Sequence, residues 1–566
     1  MTEIYGGEAH CVLLVAPRLS GGTTRHVHEM AAAWSAQGVR TLLLEPAGRL
    51  MVLVFYAAGE PMHRLVFPYD MNFLLQMLRE SGVELIHYHH VYQLLPDLRD
   101  LPRHLDVPYV VTLHDYYTIC PAIKLTTPDE RYCAEPDSAG CAYCLQGWCA
   151  RPAFARWWSR EGALVVRSVR EQNDRVTSTH ANRNRGQDCY IDKDVIIEWR
   201  RQWHDWLAGA SMRLVPHADV QQRLARYFPD LRFDILENPE VVPLPDWLVK
   251  DSMGQVLPSD DASQHSTVQH AGPRATSSLG VDTIQSYSPR VRRIGCIGAL
   301  GLSKGGGRLL ACAREASARD LPLEFVLFGM FGADVLEADP GPLPPNLTVT
   351  GPYVEAEVYG QITDEDLSFC WFPPFWPETY SYTLSIPIRL GLPVLGSDIG
   401  AIGARIREHG WGDTYPWDAD TDSMLATLMA FRPADYPRSA FHIENTAFPQ
   451  ATELYAGLWR EKGQTTGELP LEAWQSEAAQ RTWQNLPWHL TGVELKLLLT
   501  HPEARAHLLQ IALHTDKAWL LDWAQRHGQS NLQRGVYLCL NKLQRLMSID
   551  FQSGVHESRT SLRGGQ

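Results

Sequence analysis

Apolar residues in the first part of the chain come in short runs separated by amphipathic stretches. Residues 11–16 form an unbroken apolar run, the pattern of a strand buried on both faces of a parallel sheet. Val27, Met30, Ala31 and Trp34 then recur at i, i+3, i+4 and i+7, which is one face of a helix, and Gly38 is placed to close it. The pattern continues with strands at 39–44, 83–88 and 109–113 and helices at 73–80 and 92–104. Such alternation predicts a doubly wound parallel sheet. The longest apolar stretch, residues 51–59, is far short of the ~20 residues that cross a membrane.

Residues 116–210 are less regular. A cysteine-bearing stretch, 116–150, reads as an insertion, and the polar run 167–185 as an exposed one. Trp199, Trp203, Trp206 and Leu207 return to helical spacing, and 215–227 reads as a strand end followed by a helix that stops at Pro229. Residues 246–290 are rich in Ser, Asp, Gln, Gly and His and read as a flexible linker. A second alternating block follows, with strands at 293–297, 323–328, 347–350, 367–372 and 393–396 and a helix at 309–319. An amphipathic helix at 452–461 closes it, and 463–566 reads as an α-helical extension with a polar tail. The domain reading is therefore 1–245, a linker at 246–290, 291–462, and the helical 463–566. Two Rossmann-like domains so joined face a cleft at the carboxyl ends of their strands, a favoured ligand site.

Composition narrows the function classes. The chain has 566 residues, with 51 Lys+Arg against 65 Asp+Glu and a net charge of −14. That argues against a nucleic-acid partner, which needs a basic surface. The start carries no basic and apolar leader pattern. The 11 cysteines are few and uneven, so a reducing cytoplasm is expected, with peripheral contact at the inner face of the membrane compatible with it.

Candidate chemistry sits at strand ends. Gly21 and Gly22 separate the first strand from the first helix, where backbone N–H groups can meet an anion or a sugar. His114 and Asp115 end another strand. Lys304, just after the first strand of the second block, can neutralise a diphosphate leaving group, although the spacing is not that of a P-loop. Residues 377–385 gather Glu378, Thr379, Tyr380, Ser381, Tyr382, Thr383 and Ser385, a carboxylate and hydroxyls suited to sugar recognition. His87 and His89 share one face of a strand and, with His90, line the cleft or serve structure. Cys120, Cys133, Cys141 and Cys144 could form a closed, structural zinc site; unpaired buried cysteines are the alternative, and Cys149 leaves the ligand choice open.

In this order and spacing, these residues resemble the retaining nucleotide-sugar glycosyltransferases of family 4. The matching pieces are Gly21-Gly22, residues 112–117, Lys304-Gly305, and 378–394 followed by Ser397-Asp398-Ile399-Gly400. The cysteine stretch looks like an insertion of bacterial members that build surface polysaccharides. The resemblance implies a GT-B fold, a nucleoside diphosphate sugar as donor, a glycan or lipid-linked acceptor, and no catalytic metal. It implies His114, Lys304 and Glu378 as catalytic residues. It implies Gly21, Gly22, Thr379, Tyr380, Ser381 and position 386 at the donor. The leaving phosphate assists the acceptor, so catalysis is mainly positioning and electrostatics.

Two positions depart from the family pattern. Its second acidic residue is Ile386 here, followed by Pro387, and its arginine five residues before the lysine is Ala299. A second reading therefore stands beside the enzyme: a GT-B chain that binds without turnover and docks a protein partner through its helical C-terminus. A nicotinamide-dependent Rossmann enzyme is disfavoured, because no G-x-G-x-x-G follows either first strand.

Overall fold

The computed structural model describes residues 10–17, 21–48, 50–92, 94–176, 191–239, 291–436, 448–459 and 469–485. The linker at 246–290 and most of 463–566 lie outside the described residues.

The N-terminal sheet comprises β1 (Cys11–Val15), β2 (Arg40–Ala47), β3 (Leu50–Ala57), β4 (Glu60–Pro68), β5 (Leu85–Tyr88), β6 (Tyr109–Thr112), β7 (Met212–Val215) and β8 (Asp234–Ile235). Their order is β4-β3-β2-β1-β5-β6-β7-β8, and β1, β5, β6, β7 and β8 pair in parallel. The C-terminal sheet comprises β9 (Arg292–Leu300), β10 (Leu323–Phe331), β11 (Leu347–Val349), β12 (Phe369–Phe372), β13 (Val394–Ser397) and β14 (Gly412–Tyr415). Its order is β11-β10-β9-β12-β13-β14, all parallel. Strand order reverses between β1 and β5 in one sheet and between β9 and β12 in the other. Loops diverge at such points and leave a crevice. The fold is the expected pair of Rossmann-like, doubly wound sheets.

The apolar runs become strands because both faces of these sheets are covered: every residue of β1, β3 and β12 is buried. The run 51–59, too short for a membrane, is thus spent on β3. Among the described residues, no helix is long and apolar enough to cross a membrane.

Three expectations change. The helix expected at 92–104 is two short ones, Pro96–Arg99 and Leu101–Leu105, parted at Asp100 because Pro102 brings no N–H to a continuous ladder. The polar run from 167 is helical as far as Val176, the end of Pro152–Val176, since Trp158, Val165 and Val169 give that helix a buried face; 177–185 lie outside the described residues. The closing helix spans only Ala451–Leu454, and the chain turns at Gly457, whose φ is +81°.

The chain forms two compact units. One holds Met1–Leu43, Phe55–Met62 and Gly82–Thr466, and so the whole C-terminal sheet with β1 and β5 to β8 of the N-terminal one. Within it, residues 448–459 return to the N-terminal sheet. Trp34 Nε1 donates to the Pro449 carbonyl (3.0 Å), and the Tyr455 hydroxyl meets His87 Nδ1 (2.6 Å). The other ring nitrogen of His87 meets the Thr112 hydroxyl (2.7 Å). Tyr455→Phe strands one nitrogen of a fully buried imidazole, so we expect a loss of about 1–3 kcal/mol in urea unfolding.

The second unit holds Leu44–Val54, His63–Ser81 and Gly467–Gln566. In it, helix Leu471–Asn485 buries Trp474, whose indole N–H donates to Glu80 Oε2 (3.1 Å). Arg481 pairs with Asp70 and stacks on Phe73 (4.6 Å to the ring centre). These residues carry the helical character expected of 463–566 as far as Asn485.

Candidate functional site

The C-terminal half of the site is built from the loops after β9 and β12. The first leaves β9, whose Gly298 has φ +116°, and is pinned where Asp334 accepts from Leu302 N–H (2.9 Å). It delivers Lys304 beside the start of helix Gly306–Ala318. Gly305 has φ +83°, and a methyl there would lie 2.0 Å from the Pro373 carbonyl oxygen. Gly305→Ala must displace one of the two loops, and we expect a loss of about 1–3 kcal/mol in melting measurements, with weaker nucleotide binding. The second loop is tied to the first by Phe375 N–H to Ser303 O (2.8 Å). It presents Glu378, 7% exposed, with Oε1 3.7 Å from Lys304 Nζ.

From the N-terminal domain come Gly21 (φ +117°) and Gly22, the first residue of helix Gly22–Ala36. A methyl on Gly22 would meet the Tyr382 ring at 3.1 Å, so glycine admits the close approach of these two segments. His114 follows β6. Its neighbour Asp115 pairs with His90 (2.6 Å) and accepts from Tyr117 N–H (2.8 Å). Burial opposes ionisation of Asp115, but His90 and these hydrogen bonds outweigh it and hold the carboxyl below its usual range. Asp115 is therefore a satisfied structural partner.

One cavity of about 340 Å³ collects these groups. Its walls include Gly21, Gly22, His114, Lys304, Glu378, Thr379, Tyr380 and Ser381, together with Ala299, Asn238 and the Trp376 ring. Of the residues named from the sequence, the three expected to be catalytic and all those expected at the donor except Ile386 thus line one cavity. The hydroxyls are less free than their density suggested. Thr379 donates to the His114 carbonyl (2.7 Å) and Tyr380 to the Asn238 carbonyl (3.0 Å). Both fasten the C-terminal domain to the N-terminal one. Ser381, with φ +75°, shares a hydrogen bond with Thr383 (3.2 Å).

Ile386 is the exception: it does not line the cavity. It is 3% exposed and belongs to a core cluster with Ile297, Phe328, Leu384, Ile402 and Ile406, of which Ile297 and Ile402 form part of the cavity wall. Pro387 is accommodated because helix Ser385–Arg389 is a single turn following a 3₁₀ turn, Tyr382–Leu384.

Arg405 was not singled out from the sequence. Its buried guanidinium donates to the carbonyls of Tyr380 (3.2 Å) and Ser381 (3.0 Å) and to Ser385 Oγ (3.1 Å), clamping the hydroxyl loop. A charged residue in the otherwise apolar face Ala401, Ile402, Ile406 was the available signal. Lys124, from the cysteine stretch, donates to Ser303 Oγ (3.0 Å) and so brings a second cation next to Lys304.

The zinc reading of the cysteines is not carried by their geometry. Cys120, Cys133, Cys141 and Cys144 do line one small pocket. Yet the Cys141 thiol donates to the Pro136 carbonyl (3.4 Å) and Cys144 to that of Thr126 (3.7 Å). Cys149 is in a disulfide. Among the described residues, the group whose ligand atoms all lie within 4.8 Å of one another is His26, His89 and His114 instead.

His87 and His89 share a face as expected, their rings 4.0 Å apart. Burial holds His26 and His87 down at about 3 and pushes His89 and His114 well below the usual imidazole value, so all four are neutral.

The Glycosyltransferase Family 4 model matches residues 20–138. No curated protein sequence matches the chain. Similar solved structures include a glycosyltransferase from Rickettsia africae, 11% identical over 74% of this chain and 87% of that one, with a TM-score of 0.39. Sucrose-phosphate synthase from Thermosynechococcus elongatus is 12% identical over 84% and 99%, with a TM-score of 0.41. The Anabaena protein HepE, in complex with UDP and glucose, is 11% identical over 83% and 95%, with a TM-score of 0.39. The family match thus runs from the first glycine loop through β5, β6 and His114 into the cysteine segment.

Proposed function

We propose that the chain transfers a glycosyl group from a nucleoside diphosphate sugar to a glycan or lipid-linked acceptor. In this reading it retains the anomeric configuration and works in bacterial cell-surface polysaccharide synthesis, at the cytoplasmic side of the membrane. The observation that carries the proposal is the convergence of Gly22, His114, Lys304 and Glu378 on one cavity at the carboxyl ends of both sheets. Its volume, about 340 Å³, falls in the range of small-molecule sites.

Each group has a chemical task there. Lys304 places a cation where a departing diphosphate gathers charge. Glu378 accepts hydrogen bonds from sugar hydroxyls, held in place by the lysine 3.7 Å away. Gly22 lets the diphosphate approach the backbone at the first turn of its helix. His114 stands beside the sugar.

The test is a melting panel with UDP, GDP, ADP, TDP and their sugar conjugates. A ligand at a hundred times its Kd stabilises by about 2.7 kcal/mol. A selective shift that disappears in Glu378→Ala supports the donor site and identifies the base. The absence of any shift at millimolar nucleotide would sink it. It would favour the non-catalytic binding chain, for which the uncharged Ala299 in the cavity wall is the supporting observation.

A further inference from the structure

Three histidines from separate segments meet behind the cavity wall. His26 lies within the first helix, His89 follows β5 and His114 follows β6. Each offers one ring nitrogen, these atoms all lie within 4.8 Å of one another, and all three residues are buried. His26 is 1%, His89 0% and His114 9% exposed.

Their hydrogen bonding is incomplete. His26 Nδ1 meets the Tyr382 hydroxyl (3.2 Å), but His26 Nε2 has no partner. His89 Nδ1 lies 3.2 Å from His114 Nε2, and His89 Nε2 also has no partner. A polar atom left unsatisfied in a dry interior costs about 1–3 kcal/mol, so the open nitrogen of His26, beside the His89–His114 nitrogen pair, calls for an occupant. By contrast, neighbouring His87 is satisfied on both nitrogens. The 3.2 Å separation suits a hydrogen bond. It equally suits two nitrogens on one tetrahedral ion, which at bond lengths of about 2.0–2.1 Å stand roughly 3.3 Å apart.

From this arrangement we infer that His26, His89 and His114 form a binding site for a divalent transition-metal ion, with zinc the best match to three imidazoles. The Tyr382 hydroxyl on the far nitrogen of His26 supplies the outer contact that orients a ligating ring. A fourth position is left for water, and His114, which also lines the cavity, sets the ion against its wall. The ion ties the first helix to the ends of β5 and β6 and so positions this side of the cavity. The inference goes beyond the donor reading and shares only His114 with it.

Cobalt(II) is the probe. The full-length chain is stripped with chelator, reloaded and measured by elemental analysis and visible absorption, without nucleotide. We expect about one cobalt per chain, with ligand-field bands and no thiolate-to-metal charge transfer. Binding should vanish in His26→Ala and in His89→Ala and persist in the Cys133→Ser, Cys144→Ser double variant. A melting rise on adding zinc to the stripped wild type, reversed by chelator, gives the same answer without a variant. No retained metal, retention in both histidine variants, or thiolate bands would overturn the site. None of these outcomes depends on whether a sugar nucleotide binds, so either proposal can fail alone.

Discussion

Lys304→Ala is expected to lower turnover by about 10²–10³-fold, the effect of removing one preorganised group that stabilises developing charge. The loss should fall mainly on kcat, because the leaving diphosphate carries more charge in the transition state than in the bound donor. The fold should tolerate the change. The Lys304 side chain is 46% exposed, and its ion pair with Glu378 spans 3.7 Å, so little stability rests on it. Steady-state kinetics with the donor chosen by the melting panel, together with the melting temperature of the variant, separates the two effects. Unchanged kcat would remove Lys304 from the reaction. Lys124 bonds to Ser303 and would be the next cation to test.

Much of this architecture was legible because parallel strands covered on both faces are plain apolar runs. Residues 11–16 and 109–113 could hardly be anything else, and glycine or polar residues mark the loops after them. The cavity lining was legible for a related reason: at a switch point, loops past the strand ends border the crevice, so Gly22, His114, Lys304 and Glu378 could be expected to share it. What was not legible depended on long-range packing. Residues 51–57 give no turn signal of their own, and only burial makes them β3. The hydroxyls of Thr379 and Tyr380 look free in the sequence, but two carbonyls distant in the chain take them. Likewise the partnership of His26 with His89 and His114 joins residues with no common motif, and nothing in their spacing announces it.

Ile386→Glu separates family pattern from local physics. By the resemblance, an acidic residue here would grip the nucleotide ribose, and restoring it should raise activity. The packing predicts the opposite. Ile386 sits among Ile297, Phe328, Leu384, Ile402 and Ile406, and the buried arginines beside its helix are engaged, Arg405 by Ser385 and two carbonyls and Arg389 by the Tyr359 hydroxyl. A carboxylate there loses its hydration among apolar side chains, a cost of about 3–5 kcal/mol when a buried charge lacks a partner. Ile386→Val, which removes one methylene without adding charge, should cost only about 0.5–1.5 kcal/mol. Urea unfolding of the two variants gives the comparison, and nucleotide binding by folded Ile386→Glu should be no tighter than by the wild type. A glutamate variant as stable as the wild type and tighter for nucleotide would mean that the single turn Ser385–Arg389 rotates this position into the cavity, and the pattern would then outrank the packing. Ala299 is the converse case. It lines the cavity, so the charge missing there is missing where a diphosphate would lie. Of the two departures from the family pattern, the buried one alters the core and the exposed one alters the site.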